Sequence, residues 1–332
     1  MTPLVSIPCV DLRDASPLDL LKSHAASAHA LIEAASRAYG PVGRAASLAA
    51  LPLGDRASLA WLERNRNPYL AEMRAMARAL GRSGVYFLNV CFEWGCTGGV
   101  WDGDDGPLLR RVLDWSFPEL GEHLVVAHQR GDAGAFFNAT WPGVTGIFQA
   151  SAPGRFAAAL NQAPMRRHGF GFAGDWLASR LLTQRSQALP PAHLLRRVFE
   201  TAPDYDTAKR MLCETPLAVP AIFLLAGMRA GEGCIVERSE SAFVARGMES
   251  GRVCAANHFV DREDGWRARP IDSPGRLAAA LALDAGGEDF AWFVPPIANA
   301  NSRLAMTASP ARGALALIGT EGAVPVTEVF RA

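Results

Sequence analysis

The amino-acid sequence predicts an α+β protein, and three observations carry that prediction. From Val85 onward the chain breaks into short β-rich or alternating runs divided by Gly, Pro and Asp. Before them lie alanine-rich stretches whose apolar residues recur at helical spacing. Helical patterning then returns between Gly174 and Cys213, so the strands fall into two groups with helices between and after them.

Taken in order, Ser16 before Pro17 is the preferred pairing of N-cap and first helical residue, and Gly40 is placed to end a helix after Tyr39. Leu21, Ala25, Ala28, Leu31 or Ile32, and Ala35 trace one face between them. A second helix starts at Asn67 and Pro68, carries Leu70, Met73, Ala77 and Leu80 as its stripe, and stops at Gly81. These helices set residues 1–95 apart from residues 96–332.

Strands are predicted at VYFLNVCF, LLRRVLDW, HLVVAHQR, AFFNATW, VTGIFQAS and RFAAALNQ, a meandering antiparallel sheet starting at Val85. Helices follow at Gly174 to Thr183, Pro191 to Glu200 and Asp206 to Cys213, the last capped by Asp206 or Thr207. Strands resume at AIFLLAG, CIVERS, AFVARG and RVCAAN, with a helix at Pro274 to Leu283 and a strand at ALALIG.

Composition narrows the function. The chain has 332 residues, 49% hydrophobic and 20% charged, which reads as globular. Basic and acidic residues balance at 33 each, against the basic excess of a nucleic-acid binder. No stretch reaches the ~18 apolar residues of a membrane span, and MTPLVSIPCVDLRD lacks the pattern of a signal peptide, so the expected address is cytoplasmic. Six cysteines stand far apart with no C-x-x-C and no histidine cluster, so neither a zinc site nor a disulfide framework nor any cofactor is expected. Cys91, inside an alternating apolar run, reads as strand packing.

The chemistry concentrates in WGCTGGVWDGDDGPLLRRVLDW, from Trp94 to Trp115. A free thiol titrates near ~8.5 and reacts as thiolate, so a catalytic cysteine needs a base or a cation nearby. At a chain start it carries its own base, since an α-amino group titrates near ~7.7 to 8.0. Cutting the Gly95–Cys96 bond would make Cys96 such a start. Glycine at the preceding position leaves the thiol room to reach its own preceding carbonyl. Arg111 and Asp114 are three apart on the next predicted strand; the aspartate could hold the ammonium and the guanidinium could favour the thiolate.

Cys-Thr followed by R-x-L-D-W resembles the N-terminal nucleophile hydrolases of the choloylglycine hydrolase, acid ceramidase and isopenicillin N acyltransferase group. The Gly-Cys-Thr junction is most similar to the acyltransferase branch, whose precursors cleave themselves there. GRFAAALNQAP, with Asn161, and VCAANHF, with Asn257, resemble the two segments that supply oxyanion-hole asparagines. The resemblance spans residues 85–320. It implies an αββα sandwich of two antiparallel sheets flanked by helices, with residues 1–95 as a helical pro-segment covering the site until cleavage. The Cys-to-Arg interval, fifteen residues, is one shorter than the relatives'. A second arginine of the bile-salt-hydrolysing branch has no clear counterpart, Arg303 being one position for it.

The implied activity is an amidohydrolase or N-acyltransferase acting on a small non-peptide amide through a thioester on Cys96. An amine or acyl-CoA co-substrate and a homo-oligomer are both compatible with it. Asp114 holds the amine, Arg111 supports the thiolate or the substrate carbonyl, Asn161 and Asn257 stabilise the oxyanion, and Thr97 and Trp141 contact substrate. Trp141 with Pro142 would line the acyl pocket, or else form a packed corner. His258 beside Asn257 invites a Cys-His protease reading, but no orienting Asn or Asp is identifiable. Asp102 to Gly106, DGDDG, lacks the closing glutamate of a calcium loop and reads as a solvated turn. Glu237 is expected to pair with an arginine inside the fold. The rival readings are an uncleaved or inactive homologue and a binding or structural protein on the same scaffold.

Overall fold

A computed structural model of the chain describes residues 3–38, 44–90, 94–261, 264–269, 271–284, 286 and 289–332. Its first part runs β1 (Cys9–Leu12), α1 (Pro17–Ser23), α2 (Ala25–Ala38), α3 (Arg44–Arg64), α4 (Leu70–Leu80) and α5 (Val85–Asn89). Ser16 opens α1 as expected, its backbone N–H and hydroxyl both bonded to Asp19 Oδ2 at 2.9 and 2.8 Å. The single helix expected there is broken at His24. The Ser23 hydroxyl donates to the carbonyls of Asp19 and Leu20, and His24 leaves the helical region at φ −125°. The predicted stop at Tyr39 and Gly40 lies outside the described residues.

Helix α4 has the predicted stripe, with Leu70, Met73 and Leu80 buried, and Gly81 ends it in the left-handed conformation at φ 62°. Helix α3 escapes sequence reading because Pro52 and Gly54 sit inside it. Burial of Trp61 and Leu62 outweighs the break. A side chain at Gly54 would meet the Phe87 ring at 3.1 Å, so the glycine lets α3 approach α5.

The strand expected from Val85 is instead the helix α5. Asn89 Nδ2 donates to the carbonyls of Val85 and Gly143, closing the turn, and the Phe87 N–H finds Asp55 Oδ1. Val85 and Leu88, three apart, join an apolar cluster with Ile32 and Leu80. Packing onto neighbouring helices therefore overrode an alternating pattern, and Cys91 lies outside the described residues.

The remainder runs β2 (Trp94–Gly103), β3 (Gly106–Trp115), β4 (Val125–Gly131), β5 (Gly134–Thr140), β6 (Gln149–Ala152), β7 (Phe156–Gln162), β8 (Met165–Arg166), α6 (Gly171–Arg185), α7 (Pro191–Thr201) and α8 (Tyr205–Glu214). Then come β9 (Ala221–Ala226), β10 (Gly233–Arg238), β11 (Phe243–Gly247), β12 (Arg252–Ala255), β13 (Trp266–Arg267), α9 (Ser273–Leu281), β14 (Ser302–Ser309), β15 (Ala314–Glu321), β16 (Val324–Pro325) and β17 (Phe330–Arg331). Helix α8 is capped by Asp204, whose Oδ1 accepts the Thr207 N–H at 2.8 Å, rather than by Asp206 or Thr207. Of VTGIFQAS only its end is strand. Strands β1 and β14 were not foreseen, and β1 pairs parallel to β4 in otherwise antiparallel ladders.

Among the described residues the strands form one sheet in the order β1-β4-β5-β6-β7-β9-β10-β11 and a second in the order β12-β2-β3-β14-β15-β16, with β17 on β15. Strands β2 and β3 pack on β7 and β9 across the interface between the sheets. Helices α7 and α8 cover the outer face of the first sheet, and α9 covers β2 and β12 of the second. The result is the expected helix-sheet-sheet-helix sandwich. Strands β7 and β9 are buried throughout their length, as strands covered on both faces must be. Among the described residues no helix is long and apolar enough to cross a membrane.

Candidate active site

The hairpin of β2 and β3 aligns the cysteine segment with the arginine and aspartate. Cys96 pairs with Leu113, Gly95 with Asp114 and Gly98 with Arg111. Because strand side chains alternate, Cys96 and Arg111 point to one face of the sheet while Thr97 and Asp114 point to the other. The DGDDG segment is the exposed turn of this hairpin, as expected. A side chain at Gly98 would meet the Arg110 carbonyl at 2.5 Å and Leu224 at 2.8 Å, so glycine there permits the close approach of β9.

On the inner face, Arg111 Nη2 lies 3.0 Å from the Cys96 Sγ and 2.8 Å from the Leu160 carbonyl. Its Nη1 donates to Gln149 Oε1, and Gln149 is anchored in turn on the Ala139 carbonyl. On the outer face, Asp114 accepts from the Ser302 hydroxyl at 2.8 Å and from Arg276 Nη1 at 3.4 Å. Arg276, on α9, also donates to the Cys96 carbonyl and the Thr97 hydroxyl, each at 2.6 Å, and to Asn257 Oδ1 at 2.9 Å.

Asn257 reaches the nucleophile directly: its Oδ1 accepts the Cys96 backbone N–H at 2.8 Å, and its Nδ2 donates to the Gln162 carbonyl. Asn161 stands on β7 beside Leu160, its Nδ2 directed at the carbonyls of Ala255 and Ala256 at 3.4 and 3.3 Å. Thr97, expected to face substrate, is buried with its hydroxyl on Arg276. Trp141 is buried, bonds the Leu120 carbonyl at 2.7 Å and lines an apolar cavity with Leu31, Ile32 and Leu88 of the N-terminal helices. It is thus both a packed tryptophan and a cavity wall.

His258 hydrogen-bonds Ser273 Oγ at 2.7 Å. Glu237 pairs with Arg246 at 3.1 Å inside the fold, as expected. Arg303 binds the carbonyls of Phe117 and Ser302 and faces Glu321, so the second arginine at the nucleophile is Arg276 instead. No sequence signal marked Arg276: it is a lone charge in the alanine-rich run SPGRLAAAL. Its burial on the inner side of α9 is a tertiary fact.

Burial dominates the electrostatics. It pushes the Cys96 thiol up to about 11, against the pull of Arg111, with Asp114 adding to the rise. Burial likewise raises the Asp114 carboxyl above the usual range, opposed first by Arg276 and then by hydrogen bonds from Asn299 and Ser302. In this uncut chain the thiol is therefore protonated at neutral pH, poised beside a cation that favours its ionised form. A cavity of about 70 Å³ next to it is lined by Trp94, Leu160, Asn161 and Gln162 on one side and by Trp176 and Thr183 of α6 on the other. Among the described residues no group of three or more His, Cys, Asp or Glu could hold a metal ion.

No family model matches the chain. Similar curated proteins are acid ceramidases, among them that of Bos taurus, 27% identical over 193 residues covering 52% of this chain and 47% of the relative. That of Heterocephalus glaber is 30% identical over the same shares. The chain spans about half the length of the curated relatives it matches. Among solved structures, the N-acylethanolamine-hydrolyzing acid amidase ortholog of Caenorhabditis elegans aligns with TM-score 0.48 and 16% identity over 65% of this chain and 93% of that one. A mutant of the conjugated bile acid hydrolase of Clostridium perfringens aligns with TM-score 0.42 and 9% identity over 71% and 92%.

Proposed function

We propose that the chain is an N-terminal nucleophile hydrolase akin to the acid ceramidases and choloylglycine hydrolases, and that it splits linear, non-peptide amides with Cys96 as its nucleophile. The observation that carries this reading is the Cys96 thiol held 3.0 Å from Arg111 Nη2, one residue beyond a glycine where a Cβ would meet the Asp114 Cβ at 3.2 Å.

Activation begins when the Cys96 thiol attacks the Gly95 carbonyl carbon. The thiol proton passes to the departing nitrogen of Cys96, leaving Gly95 joined to the sulfur as a thioester. Water hydrolyses that thioester to a Gly95 carboxylate and a free thiol. Arg276 fixes the Cys96 carbonyl and Asn257 fixes its nitrogen during the exchange. Residues 1–95 are then the pro-segment and residues 96–332 the catalytic domain.

The freed amine, within reach of Asn257 Oδ1, becomes the base for its own thiol, with Asp114 supporting it through Arg276. Attack on a substrate amide expels the amine portion and leaves the acyl group on sulfur. Asn161 and Asn257 turn their amides from backbone carbonyls to the oxyanion, each such donor contributing roughly 3 to 4 kcal/mol. Water as acceptor completes hydrolysis, and an amine acceptor would make the same site an N-acyltransferase.

The test is the intact mass of purified protein beside its Cys96→Ala variant. Fragments ending at Gly95 and starting at Cys96 in the wild type alone support the reading. A single uncut chain in both would leave Cys96 as the dormant buried thiol of the rival reading.

A further inference from the structure

Gln162, the last residue of β7, is 6% exposed and touches the nucleophile region at three points. Its backbone N–H faces the Cys96 thiol and favours the thiolate. Its backbone carbonyl accepts Asn257 Nδ2 at 2.8 Å. Its side-chain Oε1 accepts the Trp94 N–H at 3.0 Å, two residues before the Cys96 nitrogen.

That last bond fixes the orientation of the amide. A backbone N–H can only donate, so the atom facing Trp94 must be the oxygen, and the other end must be the NH₂ donor. Nε2 is buried and has no hydrogen-bond partner. A buried donor left unmade costs roughly 1 to 3 kcal/mol, so it is a feature that an arriving acceptor would relieve. Gln162 lines the cavity next to the thiol, together with Arg166 and Arg269. When residues 94 and 95 withdraw after cleavage, Oε1 also loses its partner.

We infer that Gln162 is a specificity-determining residue of this site, whose Nε2 donates to a carboxylate borne by the substrate beside the scissile amide. The inference rests on the reading of Cys96 as nucleophile. The residue that tethers the segment before the cut becomes, after it, the residue that reads the substrate.

The test needs no identified substrate. Cys96 of the processed protein is alkylated in parallel with iodoacetate and iodoacetamide, the thiolate displacing iodide in each case, and the two rates are followed by mass. Taking their ratio cancels changes in the thiolate fraction. Gln162→Glu keeps the acceptor for Trp94 but loses the donor; Gln162→Met loses the donor without adding charge. Both are expected to lower the iodoacetate-to-iodoacetamide ratio by about tenfold relative to wild type. A fall in Gln162→Glu alone would assign the effect to charge and overturn the donor role, as would an unchanged ratio in both. Failure to alkylate Cys96 in an uncut wild-type chain would instead sink the underlying reading, and the inference with it.

Discussion

Arg276 Nη1 donates to the main-chain carbonyl of Cys96 at 2.6 Å, although 180 residues separate the two in sequence. The same guanidinium holds Thr97, Asn257 and Asp114, so one side chain ties helix α9 to the backbone at the proposed cleavage point. Its planar fork serves several acceptors at once, which a lysine ammonium cannot do with the same geometry.

Arg276→Lys keeps the positive charge beside buried Asp114 and removes the fork. The expected outcome is a folded chain whose self-cleavage slows by about a hundredfold. An intact-mass time course with circular dichroism as the folding control checks it. Cleavage at the wild-type rate would show that Arg276 only balances charge.

Gly95→Ala would place a Cβ 3.2 Å from the Asp114 Cβ, its partner across the hairpin. Overpacking at such a site costs about 1 to 3 kcal/mol. The variant should unfold at lower urea and cut more slowly than wild type. An unaltered midpoint would mean that β2 and β3 can part locally at no cost.

The N-terminal fragment should stay bound after the cut. Strand β1 is part of the first sheet, Tyr69 bonds Glu200 at 2.7 Å, and Arg196 pairs with Glu72 at 2.7 Å where both are largely buried. Trp61 reaches the Ser186 carbonyl at 2.9 Å. Size-exclusion chromatography of cleaved protein is expected to give one peak holding both fragments, separable only in denaturant. Spontaneous dissociation would argue that these contacts loosen once the chain is cut.

His193 makes the fold acid-sensitive. It is fully buried between Asn67 Nδ2 at 2.9 Å and Thr145 Oγ1 at 2.9 Å, so Nδ1 accepts and Nε2 carries the proton. Burial lowers its pKa to about 3, with Arg196 adding to the fall. Its folded pKa is depressed below the unfolded value of roughly 6.5, so the stability it contributes is present above that pH. That stability is lost as pH falls from about 6.5 toward 3, at up to ~1.4 kcal/mol per unit. Urea unfolding at several acidic pH values should show this slope, and His193→Gln should flatten it. Equal slopes in the two proteins would assign acid sensitivity elsewhere.

Local chemistry along the sequence determined much of this protein. Alternation and turn residues marked most strands of both sheets, Gly81 marked a helix end, and the spacing of Gly95, Cys96, Arg111 and Asp114 placed the thiol beside its cation. These were legible because a hairpin brings near neighbours together by register alone. Where two elements competed for one segment, only packing decided: α5 formed over an alternating run, and α3 formed through Pro52 because burial exceeded the local penalty. The tertiary structure alone brought Arg276 and Asn257 to the Cys96 backbone, turned Thr97 away from the cavity and left Gln162 Nε2 without a partner. The reason is physical: those relations cross between layers, where the partner of a side chain is set by which faces meet, and no periodicity within one segment records that.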